Sequence, residues 1–189
     1  IGNGEMEMQL HDMIREKGLE DCVEMLGAMP PEEVRRHMEK ADIYLFTSDF
    51  NEGWGAVLNE SMNSGCAVVA SHAIGSVPFL IKNGENGLIY ENGNQLDLEK
   101  QVLRLLEDGA FRKKIAENAY ETMINLWNAE TAAERFLTLA EKLLKNEKLD
   151  ILVRISLFHY LFGYIHPFYD GNGRTSRFIS SYLLSQELD

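Results

Sequence analysis

Ala41-Asp42-Ile43-Tyr44-Leu45-Phe46-Thr47-Ser48, then Asn51-Glu52-Gly53-Trp54-Gly55, then Ala56-Val57-Leu58-Asn59-Glu60-Ser61-Met62-Asn63: this stretch decides the fold. Asp42 to Ser48 is an apolar run of the kind that forms a strand buried on both faces of a parallel sheet. A glycine-rich loop follows and leads into a helix from Ala56 to about Asn63. Strand, glycine loop and helix in that order make half of a βαβ unit.

The same alternation extends in both directions. Downstream, the sequence predicts a strand at Ala67–Ser71, a loop with Gly75 and Pro78, a short helix near Phe79–Lys82 and a strand at Gly87–Tyr90. Helices are predicted over Leu96–Glu107, Phe111–Leu126 and Ala129–Lys145. Upstream, Met6, Leu10, Met13 and Ile14 have helical spacing before a Gly18 C-cap. Val23-Glu24-Met25-Leu26-Gly27 reads as a short strand, and Pro31 opens a helix that ends near Lys40. Strands alternating with helices predict an α/β fold with a Rossmann-like parallel sheet.

A chain of 189 residues, 45% of them hydrophobic, suffices for one ordinary domain plus a remnant. The formal net charge of −12 argues against nucleic acid and anionic membranes as partners, since both require a basic face. No apolar run is long enough for a transmembrane helix. Ile1-Gly2-Asn3-Gly4-Glu5 has neither the basic start nor the apolar core of a signal peptide, nor an initiator Met, and reads as the start of an excised segment. Cys22 and Cys66 lie among apolar neighbours and read as small buried hydrophobes in a reducing cytoplasm. Composition shifts near Lys148. Over residues 151–189 three basic residues (Arg154, Arg174, Arg177) balance three acidic ones (Asp170, Glu187, Asp189), so the acidic excess lies earlier. Lys145-Asn146-Glu147-Lys148 is the polar joint, and a new apolar helix runs from Leu149 to Ile165.

Glu52 and Glu60 bracket Gly53-Trp54-Gly55 and a helix start. In a parallel sheet, ligands bind beyond the carboxyl ends of the strands, where this loop belongs. Glycines admit close approach of a phosphate or sugar, and the helix N-terminus favours a diphosphate. Two isolated glutamates are ordinarily just solvated; these have company. The stretch quoted first, with Gly65, Val68-Val69-Ala70, Gly75-Ser76-Val77-Pro78 and Asn83-Gly84-Glu85-Asn86-Gly87-Leu88-Ile89, resembles the C-terminal half of family 4 glycosyltransferases. The resemblance implies a retaining enzyme of GT-B architecture that uses a nucleotide-sugar donor without a metal. It implies that Glu52 contacts the donor sugar and Glu60 the ribose. The amides of Gly53, Trp54 and Gly55 would lie near the donor sugar and diphosphate, and Gly75 in a loop near the donor. An arginine and a lysine that neutralise the diphosphate in the family would precede Ile1, as would the acceptor domain. The expected sheet order, 3-2-1-4-5-6, puts the strands preceding Ile1 in the middle and leaves Val23–Gly27 without a neighbour. Donor binding, rather than complete glycosyl transfer, is the expectation for this chain alone.

His166-Pro167-Phe168-Tyr169-Asp170-Gly171-Asn172-Gly173-Arg174-Thr175-Ser176-Arg177 has its own chemical logic. A histidine can take a proton from a hydroxyl near neutral pH, and an acid four residues on can hold Mg²⁺. Gly-Asn-Gly forms a concave set of backbone N–H groups, and two arginines three apart can clamp phosphate oxygens. The string resembles the Fic motif, His-x-Phe-x-Asp/Glu-Gly-Asn-Gly-Arg-x-x-Arg, at every defined position. That resemblance implies AMP transfer from Mg²⁺-ATP to a target-protein hydroxyl. His166 would be the catalytic base, Phe168 the loop anchor and Asp170 the metal ligand. Gly171, Asn172, Gly173, Arg174 and Arg177 would bind phosphate. His159 reads as a packing histidine.

The sequence therefore predicts a glycosyltransferase donor-binding domain over residues 1–147 and an α-helical Fic hairpin over 149–189. Two alternatives stand beside a cytoplasmic transferase: a working AMP transferase, and a non-catalytic fusion with weak nucleotide binding. An unpaired sheet edge also predicts self-association.

Overall fold

The computed structural model describes the backbone of residues 1–165 and 172–188, and the side chains of 1–163 and 173–186. Two compact units divide the chain, Ile1–Met123 and Ile124–Asp189.

The first unit is a three-stranded parallel sheet between helices. Its strands β1 (Ile43–Phe46), β2 (Ala67–Ser71) and β3 (Leu88–Tyr90) lie in the order β1-β2-β3, with Tyr44 opposite Val68 and Ala70 opposite Ile89. Successive residues of a strand point to opposite faces, and β2 shows it directly. Val68 and Ala70 enter one core with Phe46, Leu58, Met62 and Ile74, while Ala67 and Val69 enter another with Leu88, Tyr90, Leu105 and Ile115. The first face is covered by α2 (Pro31–Lys40) and α3 (Ala56–Asn63), the second by α5 (Gln95–Glu107), and α6 (Gly109–Leu126) contributes to both. Leu58 and Met62, four apart on α3, are fully buried, each stabilising the fold by about 2 kcal/mol. Between β2 and β3 lies a single helical turn, α4 (Val77–Leu80), and α1 (Glu7–Glu16) precedes α2 with no buried residue.

Three expectations are corrected. Val23–Gly27 is not a strand: no ladder reaches it among the described residues, although Gly2 N–H donates to the Gly27 carbonyl at 2.7 Å. A strand is stable only as part of a ladder that uses its backbone groups. Nor is β1 buried on both faces, because it is the edge of the sheet; Phe46 is buried but Leu45 is 45% exposed. Position two in the order, not composition, decides why β2 alone is buried throughout. Cys22 is exposed, whereas Cys66 is buried and donates its thiol to the Met38 carbonyl at 3.1 Å. Burial foremost, then Asp42, pushes the Cys66 thiol up to about 11, so it stays protonated.

The second unit is helical: α7 (Ala129–Leu144), α8 (Ile151–Ile165) and α9 (Asn172–Leu188), after the end of α6. Asn128 caps α7 by accepting the Thr131 N–H at 2.7 Å. Phe136 of α7 meets Phe158 and Phe162 of α8 with ring centroids 5.8 and 5.2 Å apart. Ile155, Phe158 and Phe162 recur at three and four residues and are the buried stripe of α8. Across α8 and α9, His159 Nδ1 lies 3.0 Å from Ser180 Oγ and 3.4 Å from Ser176 Oγ. The polar joint at residues 145–148 falls between α7 and α8. No described helix is long and apolar enough to cross a membrane.

Candidate functional site

The carboxyl ends of the three strands meet in loops tied together by backbone contacts. Two of the expected glycines have no substitute. A Cβ on Gly75 would sit 1.9 Å from the Gly53 carbonyl oxygen, so the loop after β2 presses directly on the glycine loop after β1. Gly55 has φ +72° and a Cβ there would lie 2.8 Å from the Phe46 ring. Ser76 N–H donates to the Trp54 carbonyl at 3.2 Å, closing the junction. Gly55 is also the N-cap of α3, and no side chain caps that helix, leaving its first amides to the loop side.

Glu52 is half-buried, with its carboxylate 3.4 Å from the Ser48 hydroxyl that donates to it. The Trp54 indole N–H donates to Asn59 Oδ1 at 2.9 Å, and its ring stacks on Phe79 at 5.8 Å. Glu60, exposed on α3, lines a cleft of about 320 Å³ with Met29, Val34, Met38, Arg35 and Asn63. An adjoining apolar cleft runs along β1 past Tyr44 and Leu45 and shares Met29, Val34 and Met38. The Tyr44 phenol is pushed up chiefly by burial, then by the charges of Glu60, Cys66 and Glu52. The structure thus brings Glu52, Gly53, Trp54, Gly55 and Gly75 together in the loops after β1 and β2, with Glu60 further along α3 on the cleft it shares with α2.

Asn92 escaped the sequence reading. Its side-chain amide donates to the Ser48 carbonyl at 3.2 Å and to Ser71 Oγ at 3.0 Å, and its backbone N–H donates to His72 Nδ1 at 2.9 Å. One residue after β3 therefore holds the ends of β1 and β2, and through Ser48 it supports Glu52. The Asn92-Gly93 dipeptide just past a strand is a turn signal that could have flagged the position. Beside it, burial raises the Tyr90 phenol, an effect offset in part by its hydrogen bond with Ser71.

In the second unit, His166, Phe168, Asp170 and Gly171 lie outside the described residues, as does the Asn172 side chain. Asn172 opens α9, and Gly173, Arg174 and Arg177 follow on that helix, all three exposed. A Cβ on Gly173 would lie 3.4 Å from Arg177 Nη1, so the guanidinium lies against the second residue of the helix. Among the described residues, no group of three or more His, Cys, Asp or Glu could hold a metal ion.

Comparison with known proteins agrees with this division of features. The family model for glycosyl transferases group 1 matches residues 1–122, and that for the Fic/DOC family matches residues 93–184. The second match begins well before the hairpin, so α5 and much of α6 fall within both. The amylovoran biosynthesis glycosyltransferase AmsK of Erwinia amylovora is 36% identical over 115 residues, 58% of this chain and 28% of AmsK. A D-inositol 3-phosphate glycosyltransferase of Corynebacterium aurimucosum is 33% identical over 111 residues, 59% of this chain and 26% of that protein. The chain spans about a quarter of the length of these relatives. Among solved structures, the C-terminal domain of the group 1 glycosyl transferase LpcC from Francisella tularensis matches with TM-score 0.60 and 27% identity, covering 65% of this chain and 63% of that one. HepE from Anabaena, in complex with UDP, matches with TM-score 0.56 and 30% identity over 68% of this chain and 36% of its own. Residues 93–184 match the Fic/DOC family model, and the chain belongs to the group 1 glycosyl transferases.

Proposed function

We propose that the first unit is the donor-binding half of a nucleotide-sugar-dependent glycosyl transferase. The single observation that carries this is the packing of the Gly75 loop on the Glu52–Gly55 loop, where Gly55 and Gly75 cannot accept a side chain, at the start of the helix that carries Glu60. The cleft beside Glu60 suits a nucleoside: Met29, Val34 and Met38 offer an apolar wall to a base, and Glu60 accepts from a ribose diol. The uncapped amides at the start of α3 suit a diphosphate, and Glu52 suits the hydroxyls of the donor sugar. HepE has been seen with UDP and with UDP-glucose, which makes uridine donors the first to try. Calorimetric titration with UDP-, GDP- and ADP-sugars tests the proposal. One of the three binds, and Glu60→Ala weakens it by about tenfold, the loss of a charge-assisted hydrogen-bonding group. Identical heats for wild type and variant would remove the ribose role.

A second reading concerns the Fic segment, favoured by the packing of Arg177 over Gly173. Those two positions lie side by side, as a phosphate site requires, and a helix N-terminus opens there. Bound Mg²⁺ would neutralise phosphate charge, with Asp170 as the residue to hold it. His166 would take the proton from a target hydroxyl. With Mg²⁺-ATP and candidate proteins, an adduct of AMP by intact mass that vanishes in His166→Ala supports this activity. No adduct in either sample counts against it. We place the seam between the two functions near Lys148, where the acidic excess ends.

A further inference from the structure

His72 follows the last residue of β2, and three contacts fix it there. Its backbone N–H donates to the Tyr90 carbonyl at 3.0 Å, which extends the pairing with β3 past the strand. Its Nδ1 accepts the Asn92 N–H at 2.9 Å, and its ring meets the Phe50 ring edge-on, with centroids 5.5 Å apart and planes at 84°. The ring thus touches the loop after β3 and the loop after β1, and both lead to Glu52. Asn92 reaches Glu52 through its side-chain amide on the Ser48 carbonyl and the Ser48 hydroxyl on the Glu52 carboxylate. Phe50 reaches it along the chain, inside a turn closed by the Glu52 N–H on the Asp49 carbonyl at 3.1 Å.

The bond from Asn92 also decides where the ring proton lies. A nitrogen that accepts from a backbone N–H bears no hydrogen, so the neutral imidazole carries its proton on Nε2. Protonation would put a second N–H on Nδ1, aimed at the Asn92 N–H: two donors facing each other with no acceptor. The charged ring cannot keep that contact. Either it turns away from Phe50, or Asn92 shifts together with its hold on Ser48. The titratable groups on the neighbouring elements are Asp49 and Glu52 in the loop after β1, and Tyr90 and Glu91 at the end of β3. Asp49 accepts from Asn51, Glu52 from Ser48 and Glu91 from the Asn94 amide, while the Tyr90 phenol bonds Ser71. Among the described residues no ion pair joins any of them to His72.

We propose that His72, with its proton on Nε2, is the positioning residue of Glu52: through Asn92 and Phe50 it holds the loop after β1 in its donor-binding arrangement, and protonation of the ring releases that loop. The use of Glu52 as a donor contact rests on the function proposed above; the clamp rests on the hydrogen bonds and the ring contact themselves. Donor affinity then depends on a residue that acts through its neighbours rather than on the donor.

The test uses the whole chain, isotope-labelled for NMR. Imidazole nitrogen spectra near neutral pH are expected to show His72 with a protonated Nε2 and a bare Nδ1; the opposite tautomer would overturn the proposal. UDP-glucose, with GDP-glucose and ADP-glucose beside it, is titrated by calorimetry at about pH 7.5 and about pH 5.5, the span in which histidines change charge. Wild type is expected to bind its donor about fivefold more weakly at the lower pH, the equivalent of one hydrogen bond. His72→Asn puts an amide oxygen where Nδ1 accepts, and should recover wild-type affinity at the higher pH and keep it at the lower. His72→Ala removes the acceptor and should bind about fivefold more weakly than wild type at the higher pH, with no further loss in acid. Wild-type affinity that ignores pH, or His72→Asn no better than His72→Ala, would overturn the proposal. So would acid weakening that survives in His72→Asn, because His11, His37, His159 and His166 remain there to titrate. If wild type binds none of the three nucleotide sugars, the donor reading falls and amide shifts alone decide the clamp. Acid-induced shifts at Ser48, Glu52 and Asn92 that vanish in His72→Asn uphold it; shifts that persist there, or never arise in wild type, overturn it.

Discussion

The glycine loops of the first unit and the glycine-started helix of the second use the same residue for different reasons. Gly75 is a tertiary requirement: another loop's carbonyl occupies the space of its side chain. Gly173 is a local feature, lying near the start of α9 with, among the described residues, only its own helix's Arg177 at ordinary contact distance. Glu52, Gly75 and Asn92 are spread over some forty residues and meet only because the sheet brings its strand ends together. The Fic motif instead carries its chemistry within twelve consecutive residues. A site assembled by the fold is exposed to damage anywhere in that fold; a contiguous motif is less so.

The largest expected effect breaks this comparison most directly. Gly75→Ala should destabilise by about 3 kcal/mol, as overpacking against backbone does, and abolish donor binding in urea unfolding and calorimetry. Gly173→Ala should be neutral or stabilising by up to about 0.5 kcal/mol, because alanine is the better helix former and, among the described residues, its Cβ meets only the Arg177 side chain at ordinary contact distance. Equal effects from the two would erase the distinction.

Asn92→Ala comes next. It leaves the Ser48 carbonyl and Ser71 hydroxyl without their amide donor, at an expected cost of about 1–2 kcal/mol by urea unfolding. Ser180→Ala in the hairpin should cost less, about 0.5–1 kcal/mol, since it removes a single hydrogen bond at a helix–helix contact. An Asn92→Ala protein as stable as wild type would show that the strand ends hold without this clamp.

How much of this was legible beforehand divides along the same line. Helix α3 and strand β2 were readable with their limits, since a glycine before and after α3 and an uninterrupted apolar run in β2 are local signals. The glutamates, the glycine loop and the Fic string were readable as motifs for the same reason. Val23–Gly27 and β1 were not, because pairing and burial of a strand depend on its neighbours. Ile43–Phe46 is as apolar as a central strand but lies at an edge. The turn at Asn92 was readable but its clamp was not, because its three partners come from the ends of two other strands; nor was the Trp54–Phe79 stack, which joins residues 25 positions apart.

The smallest effect is a pH dependence confined to the first unit. Asp97 accepts from the Glu91 N–H first, then from the Gln101 amide, and these hold its carboxyl below the ordinary value of 3.8. The unfolded chain then binds a proton at higher pH than the folded one. Its contribution is fully present above pH 3.8 and is lost as pH falls through the lower folded value. Asp97→Asn should flatten the stability profile in that acid window and leave it unchanged near neutrality, as read by thermal unfolding. A profile that steepens on substitution would reverse the sign.

The central claim is that residues distant in sequence form one donor site, and amide NMR during a UDP-glucose titration tests it most directly. The account predicts saturable shifts at Gly53, Trp54, Gly55, Gly75, Ser76 and Asn92, with those of α7 and α8 unmoved. Saturable shifts confined to the Fic hairpin, or none at the two glycine loops, would contradict it.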